Sequence, residues 1–93
     1  MPELIQMDDL EIRRRKLRFR AWHRGMREMD LLFGGFADAH IATLPVDELD
    51  QLEALMDLPD QDVYRWLTGE SPTPPALATP LMAKLRSFRP MLQ

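Results

Sequence analysis

The 93-residue chain has no cysteine, few β-branched residues and no long apolar run. Without cysteine it cannot form a disulfide framework, a thiolate nucleophile or a cysteine-ligated metal cluster. Its longest purely apolar stretches span only a few residues, as in Leu31-Leu32-Phe33, so none can cross the roughly 30 Å hydrocarbon layer of a bilayer. The fold must therefore rest on the packing of one small domain, and the scarcity of β-branched residues favours helices.

Groups that could perform catalysis are equally scarce. The chain has two histidines, His23 and His40, and it contains neither a GxGxxG nor a Walker phosphate-binding loop. The two histidines lie seventeen positions apart, which is not a metal-ligand spacing. No Ser-His-acid set is evident, and an enzyme would need a deep polar pocket that five short helices are poorly suited to enclose. We therefore predict no catalytic residues, no metal site and no nucleotide or flavin site.

Proline, glycine and apolar periodicity predict a compact all-α bundle of five helices. The expected helices span about residues 8–23, 26–41, 45–58, 60–68 and 80–89. Asp8 or Asp9 is the expected N-cap of the first helix, Asp60 of the fourth and Thr79 of the fifth, because short polar side chains accept the free N–H groups there. Residues 1–7 are expected to be a flexible N-terminal segment, and residues 8–90 the helical domain.

Apolar residues at helical spacing predict the core. The expected members are Met26, Met29, Phe33, Phe36, Ala37, His40, Leu49, Leu52, Leu55, Met56, Leu81, Leu85 and Phe88. In the first helix, Leu10, Leu17 and Ala21 form one narrow apolar stripe, and Ile12 and Phe19 form another. The pair Gly34-Gly35 lies within the second helix, where it either weakens the helix or leaves room for another backbone to approach closely.

Charge is distributed unevenly along the chain, although the net charge is only −3. Residues 1–12 carry −4, residues 13–27 carry +8, residues 28–70 carry −10 and residues 71–93 carry +3. Function is therefore best sought where the sign changes.

The basic cluster begins with six lysines or arginines among residues 13–20. Four basic residues repeat at i, i+3, i+7 and i+11 and predict a ridge: Arg13, Lys16, Arg20 and Arg24. The cluster could pair with the acidic third helix, contact nucleic-acid phosphates, or dock on an acidic protein surface with Phe19 and Trp22 as anchors. Composition does not choose among these three, although the pI of about 5.3 opposes binding to nucleic acid.

The segment Arg24-Gly25-Met26-Arg27-Glu28 lies at the change of sign. Near-helical geometry would bring Arg24 and Glu28 together as an i, i+4 pair. Gly25 could end the first helix or allow a partner's backbone to come close. These residues therefore fit both a surface ion pair and a small docking surface.

This segment and the residues after it resemble the succinate dehydrogenase assembly factor 2 family, whose bacterial members are called SdhE. The family motif Arg-Gly-x-x-Glu stands at residues 24–28. The matching residues that follow are Met29-Asp30-Leu31-Leu32, Phe36-Ala37, Leu49, Glu53-Ala54-Leu55, Pro59-Asp60 and Tyr64-Arg65-Trp66-Leu67-Thr68-Gly69. The resemblance covers about residues 8–70.

The resemblance implies a non-enzymatic assembly factor that promotes covalent attachment of FAD to the flavoprotein subunit of succinate dehydrogenase, and in some bacteria of fumarate reductase. FAD and the histidine to which it is bonded would belong to this client, so the chain itself would hold no stable cofactor. Arg24, Gly25 and Glu28 become the predicted client contacts. The basic and aromatic residues around them are expected to extend that surface: Lys16, Arg20, Trp22 and Arg27.

The N-terminus carries no recognisable signal or transit pattern, so we expect a bacterial-type cytoplasmic location. The alternative function is a small helical nucleic-acid-binding or toxin–antitoxin regulatory protein that would use the basic first helix on phosphates. Such binding would weaken steeply as the salt concentration rises.

Overall fold

The computed structural model describes residues 8–88 of the chain. They form five α-helices: α1 (Asp9–Ala21), α2 (Arg27–His40), α3 (Val46–Met56), α4 (Asp60–Thr68) and α5 (Pro80–Ser87), with a short 3₁₀ helix at Pro75–Leu77. These residues contain no strand, and the predicted all-α bundle of five helices is confirmed. The segment 1–7, expected to be flexible, and the predicted end of the fifth helix at residue 89 lie outside the described residues.

Two of the predicted helix caps are present. The Asp8 carboxylate accepts a hydrogen bond from the Glu11 backbone N–H at 2.8 Å, and the Thr79 hydroxyl accepts one from the Met82 N–H at 3.1 Å. Each bond satisfies an N–H group that the first turn of a helix leaves without an internal acceptor. These caps fix where α1 and α5 begin.

The cap expected at the start of α4 is wrong. Pro59 occupies the N-cap position, and Asp60 is the first residue of α4. Its side chain accepts hydrogen bonds from Arg24 instead of from the helix backbone. At the other end of α4, Gly69 adopts φ +83°, the left-handed conformation that often ends a helix.

The core lies where α1, α2, α3 and α5 face one another, with Val63 added from α4. Its fully buried large side chains are Leu17, Met29, Phe33, Phe36, Leu49, Leu52, Leu55, Val63 and Leu81. Most of the predicted core is confirmed, with Met26 and Phe88 packed against its edge. His40 is exposed, contrary to expectation, although its ring still packs 4.9 Å from that of Phe36. Of the first apolar stripe of α1, Leu17 and Ala21 are buried and Leu10 is exposed. None of the helices within residues 8–88 is long and apolar enough to cross a membrane.

Candidate protein-docking site

α1 lies between α2 and α3, and its side chains divide into three sets. Along one side, successive arginines contact successive residues of α3 and the start of α4, so α1 and α3 run in the same direction. Along the other side, Trp22, Arg18 and Arg14 meet residues progressively later in and after α2, so these two helices are antiparallel. Apart from Leu17 and Ala21, which are buried in the core, the remaining side chains face outward.

The α3 side of α1 is an array of ion pairs. The Arg13 guanidinium donates to Asp50 at 2.7 Å and to Glu53 at 2.8 Å. Arg20 donates to Asp57 at 2.7 Å, and its other terminal nitrogen lies 3.6 Å from Glu53. The hydrogen bonds to the two carboxylates raise the pKa of Arg13 above its ordinary value. The interpretation that the basic ridge pairs with the acidic third helix is therefore confirmed for these two arginines.

Arg24 continues this array beyond the end of α1, but in a buried setting. Its Nε and Nη2 donate to Asp60 Oδ1 at 3.1 and 2.8 Å, and Nη2 also donates to the Met56 carbonyl oxygen at 2.7 Å. Only 10% of the Arg24 side chain and 18% of the Asp60 side chain are exposed. The guanidinium lies 5.6 Å from the Phe33 ring centroid, and the Arg24 backbone N–H donates to Asp30 at 2.5 Å. We call this set of contacts the Arg24 latch.

The expected i, i+4 pair between Arg24 and Glu28 is wrong. α1 ends at Ala21 and α2 begins at Arg27, so the two residues do not share a helix. The Arg24 side chain points inward to Asp60. The Glu28 side chain is exposed in the first turn of α2 and has no hydrogen-bond partner within residues 8–88. A buried, hydrogen-bonded carboxylate competes better for the guanidinium than an exposed one does.

Gly25 follows the latch in the linker 22–26 and adopts φ +121°. L-residues with a side chain rarely adopt this conformation, so the linker needs glycine for its backbone. A Cβ atom built on Gly25 would lie 3.8 Å from Asp60 Oδ2, which places the glycine directly over the latch. The chain reverses here and presents Gly25, Arg27 and Glu28 to solvent.

On the α2 side of α1, the group that approaches α2 closely at Gly34 is the Trp22 indole ring and not another backbone. A Cβ atom at Gly34 would lie 2.2 to 2.6 Å from three atoms of that ring, so glycine is what allows the ring to rest on α2. The close approach expected at Gly34 is therefore made by a side chain. The indole N–H donates to Asp38 at 3.2 Å, and Arg18 Nε donates to the same oxygen at 2.6 Å. These hydrogen bonds, that of Trp22 first, lower the pKa of Asp38. Arg14 also hydrogen-bonds to the Ile41 carbonyl oxygen.

The outward side of α1 carries charge and aromatic surface together. Arg15 and Lys16 are exposed and have no acidic partner within the described part of the chain. Phe19 is 65% exposed, and its ring stacks on that of His23 with centroids 4.0 Å apart.

The structure thus divides the predicted contact residues into two groups. Arg20, Trp22 and Arg24 are engaged inside the fold, whereas Lys16, Gly25, Arg27 and Glu28 are exposed. Sequence analysis missed Asp60 as the residue that positions the linker. A carboxylate immediately after a proline looks the same in a sequence whether it caps a helix or receives a distant arginine.

A profile described as "Flavinator of succinate dehydrogenase" matches residues 15–89. The chain belongs to the succinate dehydrogenase assembly factor 2 family. The family match confirms the resemblance, and it makes the chain a member of a family of assembly factors rather than of enzymes.

The relatives come from bacteria and from eukaryotes. The FAD assembly factor SdhE of Acetobacter pasteurianus is 42% identical over 81 residues, which cover 87% of this chain and 74% of that protein. The mitochondrial succinate dehydrogenase assembly factor 2 of Drosophila grimshawi is 35% identical over 81 residues, with 85% and 55% coverage. That of Candida glabrata is 35% identical over 68 residues, with 73% and 44% coverage. The chain therefore spans about half the length of these mitochondrial relatives.

Proposed function

We propose that this protein is an assembly factor that binds the flavoprotein subunit of succinate dehydrogenase and promotes covalent attachment of FAD to it. The observation that carries the proposal is the match of residues 15–89 to the flavinator family. The flavoprotein of fumarate reductase is a second client within the same proposal. FAD would belong to the client throughout, and the proposed location is the bacterial cytoplasm.

The geometry of the linker supports two different roles for the residues of the motif: one positions the linker and the others contact the client. Arg24 is buried and bonded to Asp60 and Met56, so it acts as a positioning residue rather than as a direct contact. Gly25, Arg27 and Glu28 follow it on the surface and are the proposed contacts. Because the latch fixes the base of the linker, the exposed residues are held ready before a partner arrives, which lowers the entropy lost on binding.

The proposed mechanism uses binding energy alone. Covalent flavinylation requires a histidine of the client and the reactive carbon of FAD to be held in contact, and the client supplies both groups. An assembly factor that binds the productive client conformation more tightly than the others raises its population. Shifting that population from 1:99 to 99:1 requires about 5.5 kcal/mol of differential affinity, which a modest interface can supply.

The test is co-expression of this protein with the flavoprotein subunit in a host that lacks its own assembly factor. Covalent flavin is read as fluorescence of the subunit band in a denaturing gel. The wild-type chain should raise that signal, and Arg27→Ala and Glu28→Ala should lower it while leaving thermal unfolding unchanged. Arg65→Ala and Glu70→Ala remove the same charges at exposed positions in or just after α4 and should behave as wild type. If the wild-type chain leaves the subunit without covalent flavin, the proposal is wrong.

A further inference from the structure

The outward side of α1 borders a groove that contains neither Arg24 nor the proposed contacts Gly25, Arg27 and Glu28. An open groove of about 590 Å³ is lined by Arg15, Arg18, Phe19, Trp22 and His23. It lies along the contact between α1 and α2, because Trp22 rests on Gly34 and Arg18 is bonded to Asp38. It ends at His23, within the linker 22–26.

A second, smaller groove of about 300 Å³ continues along the same contact toward the beginning of α1. It shares Arg15 and Arg18 with the first groove, and Glu11, Arg14, Ile41 and Ala42 complete its lining. α1 rises about 15 Å between Glu11 and Ala21. An extended segment of about five residues, at roughly 3.3 Å per residue, would span the same length.

The chemistry of the paired grooves favours an acidic occupant. Three arginines line the two grooves, Arg14, Arg15 and Arg18, against one carboxylate, Glu11. Arg15 has no acidic partner within residues 8–88, and Arg18 is hydrogen-bonded to Asp38 through Nε alone. Phe19 is 65% exposed at the edge of the groove, and a large aromatic ring beside guanidinium groups is typical of residues that anchor protein interfaces.

We propose that the two grooves together bind an extended acidic segment of the client flavoprotein. Its carboxylates would lie at Arg15 and Arg18, and one apolar side chain would lie against Phe19. The partner's identity rests on the proposed function. The groove would act as a second attachment point beside the linker, so that the client is held along α1 as well as at Gly25–Glu28. A protein segment is favoured over nucleic acid because Arg13, Arg20 and Arg24 are paired with internal carboxylates and Arg18 is paired in part, which leaves no long array of unpaired cations along α1 for phosphates.

The first arm of the test measures the groove without the client. The probes are the acetylated pentapeptide EDWDE and its neutral counterpart QNWNQ, added to the ¹⁵N-labelled full chain. EDWDE should shift the amide signals of Arg15, Phe19 and His23, and QNWNQ should bind about tenfold more weakly or worse, since it lacks the carboxylates. Equal binding of the two peptides, or shifts confined to other helices, would overturn the proposal. A 12-base single-stranded DNA that displaces EDWDE from these residues would overturn it in favour of nucleic acid.

The second arm measures affinity for the purified flavoprotein subunit. Arg15→Glu and Phe19→Ala should each weaken binding by about fivefold or more, the size expected for an interface anchor. The matched controls are Arg65→Glu and Val46→Ala, which make comparable changes at exposed positions on α4 and α3. Wild-type affinity of both groove variants would overturn the proposal.

The two proposals fail in different ways. If the wild-type chain supports covalent flavinylation and Glu28→Ala impairs it while both groove variants bind normally, only the groove assignment is wrong. If the wild-type chain neither binds nor flavinates the subunit, the proposed function is wrong, and with it the identity given to the occupant.

Discussion

The two sides of α1 are attached to the rest of the fold by different physical means. Toward α3 and α4, arginines meet carboxylates, and Arg24 is much more deeply buried than Arg13 and Arg20. Toward α2, the main contact is an indole ring that fits only because Gly34 has no side chain. The α3 side depends on ion pairs, whereas the α2 side depends mainly on the fit of a ring, with the single ion pair Arg18–Asp38 at its surface. The two sides should therefore respond differently to mutation, to salt and to pH.

The three arginines on the α3 side of α1 differ in how deeply they are buried, although they recur at nearly regular spacing. The exposed fractions of the Arg13 and Arg20 side chains are 29% and 37%, against 10% for Arg24. Exposed ion pairs contribute about 0 to 1 kcal/mol each, whereas removing one partner of a buried pair costs about 3 to 5 kcal/mol. Depth, and not position in the ridge, therefore decides which arginine the fold depends on.

The largest effect is expected from Arg24→Ala. It leaves Asp60 largely buried without its cation and removes a donor from the Met56 carbonyl oxygen, so the free energy of unfolding should fall by about 3 kcal/mol. Arg20→Ala is the control and should lower it by less than about 1 kcal/mol. Urea denaturation at neutral pH measures both.

A double-mutant cycle of Arg24→Ala with Asp60→Ala sharpens this result. The two losses should be strongly non-additive, because either substitution alone removes the pair. Additive losses, or an Arg24→Ala loss no greater than that of Arg20→Ala, would contradict the assignment of Arg24 to the latch. Arg24→Ala should also lower client flavinylation, because in the proposed division of roles Arg24 positions the linker whose exposed residues contact the client.

The second effect tests shape on the α2 side. Gly34→Ala places a methyl group where the Trp22 ring lies, so the ring must move and the free energy of unfolding should fall by about 2 kcal/mol. Gly35→Ala is the control: residue 35 lies about 100° around the helix from residue 34, and the substitution gains the same helix propensity. It should be neutral or stabilising by up to about 1 kcal/mol. Thermal unfolding with tryptophan fluorescence reports stability and ring environment together. Equal stability of the two variants would show that the ring tolerates a side chain at position 34.

A smaller effect is expected in the linker that joins the two sides. Gly25→Ala should cost about 1 kcal/mol, because alanine is strained at φ +121°. A chain assembled by chemical ligation with D-alanine at position 25 should regain that stability, since D-residues prefer positive φ. We expect it still to bind the client more weakly, because its methyl group occupies the surface that the partner approaches. Full recovery of flavinylation would mean that Gly25 serves only the backbone conformation.

Sequence analysis predicted the fold because each helix carries its own signals. Met29, Phe33, Phe36 and Ala37 repeat at helical spacing and are all fully buried. Asp8 and Thr79 cap the helices they were expected to cap. Such signals are local, so neighbouring residues suffice to predict them.

The candidate site was predicted less completely because its decisive contacts are not local. The i, i+4 rule paired Arg24 with Glu28, yet Arg24 reaches Asp60, which is thirty-six positions away. Likewise, Gly34 in a helix gives no indication that it faces Trp22 rather than a backbone. The sequence identifies the segment where charge changes sign, but only the packing of α1 against α2 and α3 decides which of its side chains are exposed.

The smallest expected effect is a pH response on the α2 side of α1. Hydrogen bonds from Trp22 and then Arg18 favour the charged Asp38 carboxylate and hold its pKa below the usual 3.8. A carboxylate with a lowered folded-state pKa adds stability above the unfolded-state pKa and loses it as the pH falls through the folded-state value. The loss of stability is therefore expected below about pH 4, and it is small because 41% of the Asp38 side chain is exposed.

A ¹³C NMR titration of the Asp38 carboxyl measures its pKa directly. The pKa should rise in Trp22→Phe and in Arg18→Gln, because the first removes a hydrogen bond to the carboxylate and the second removes a charged donor. An Asp38 that titrates at its usual value in the wild-type protein would mean that the indole is held on α2 by its fit over Gly34 alone.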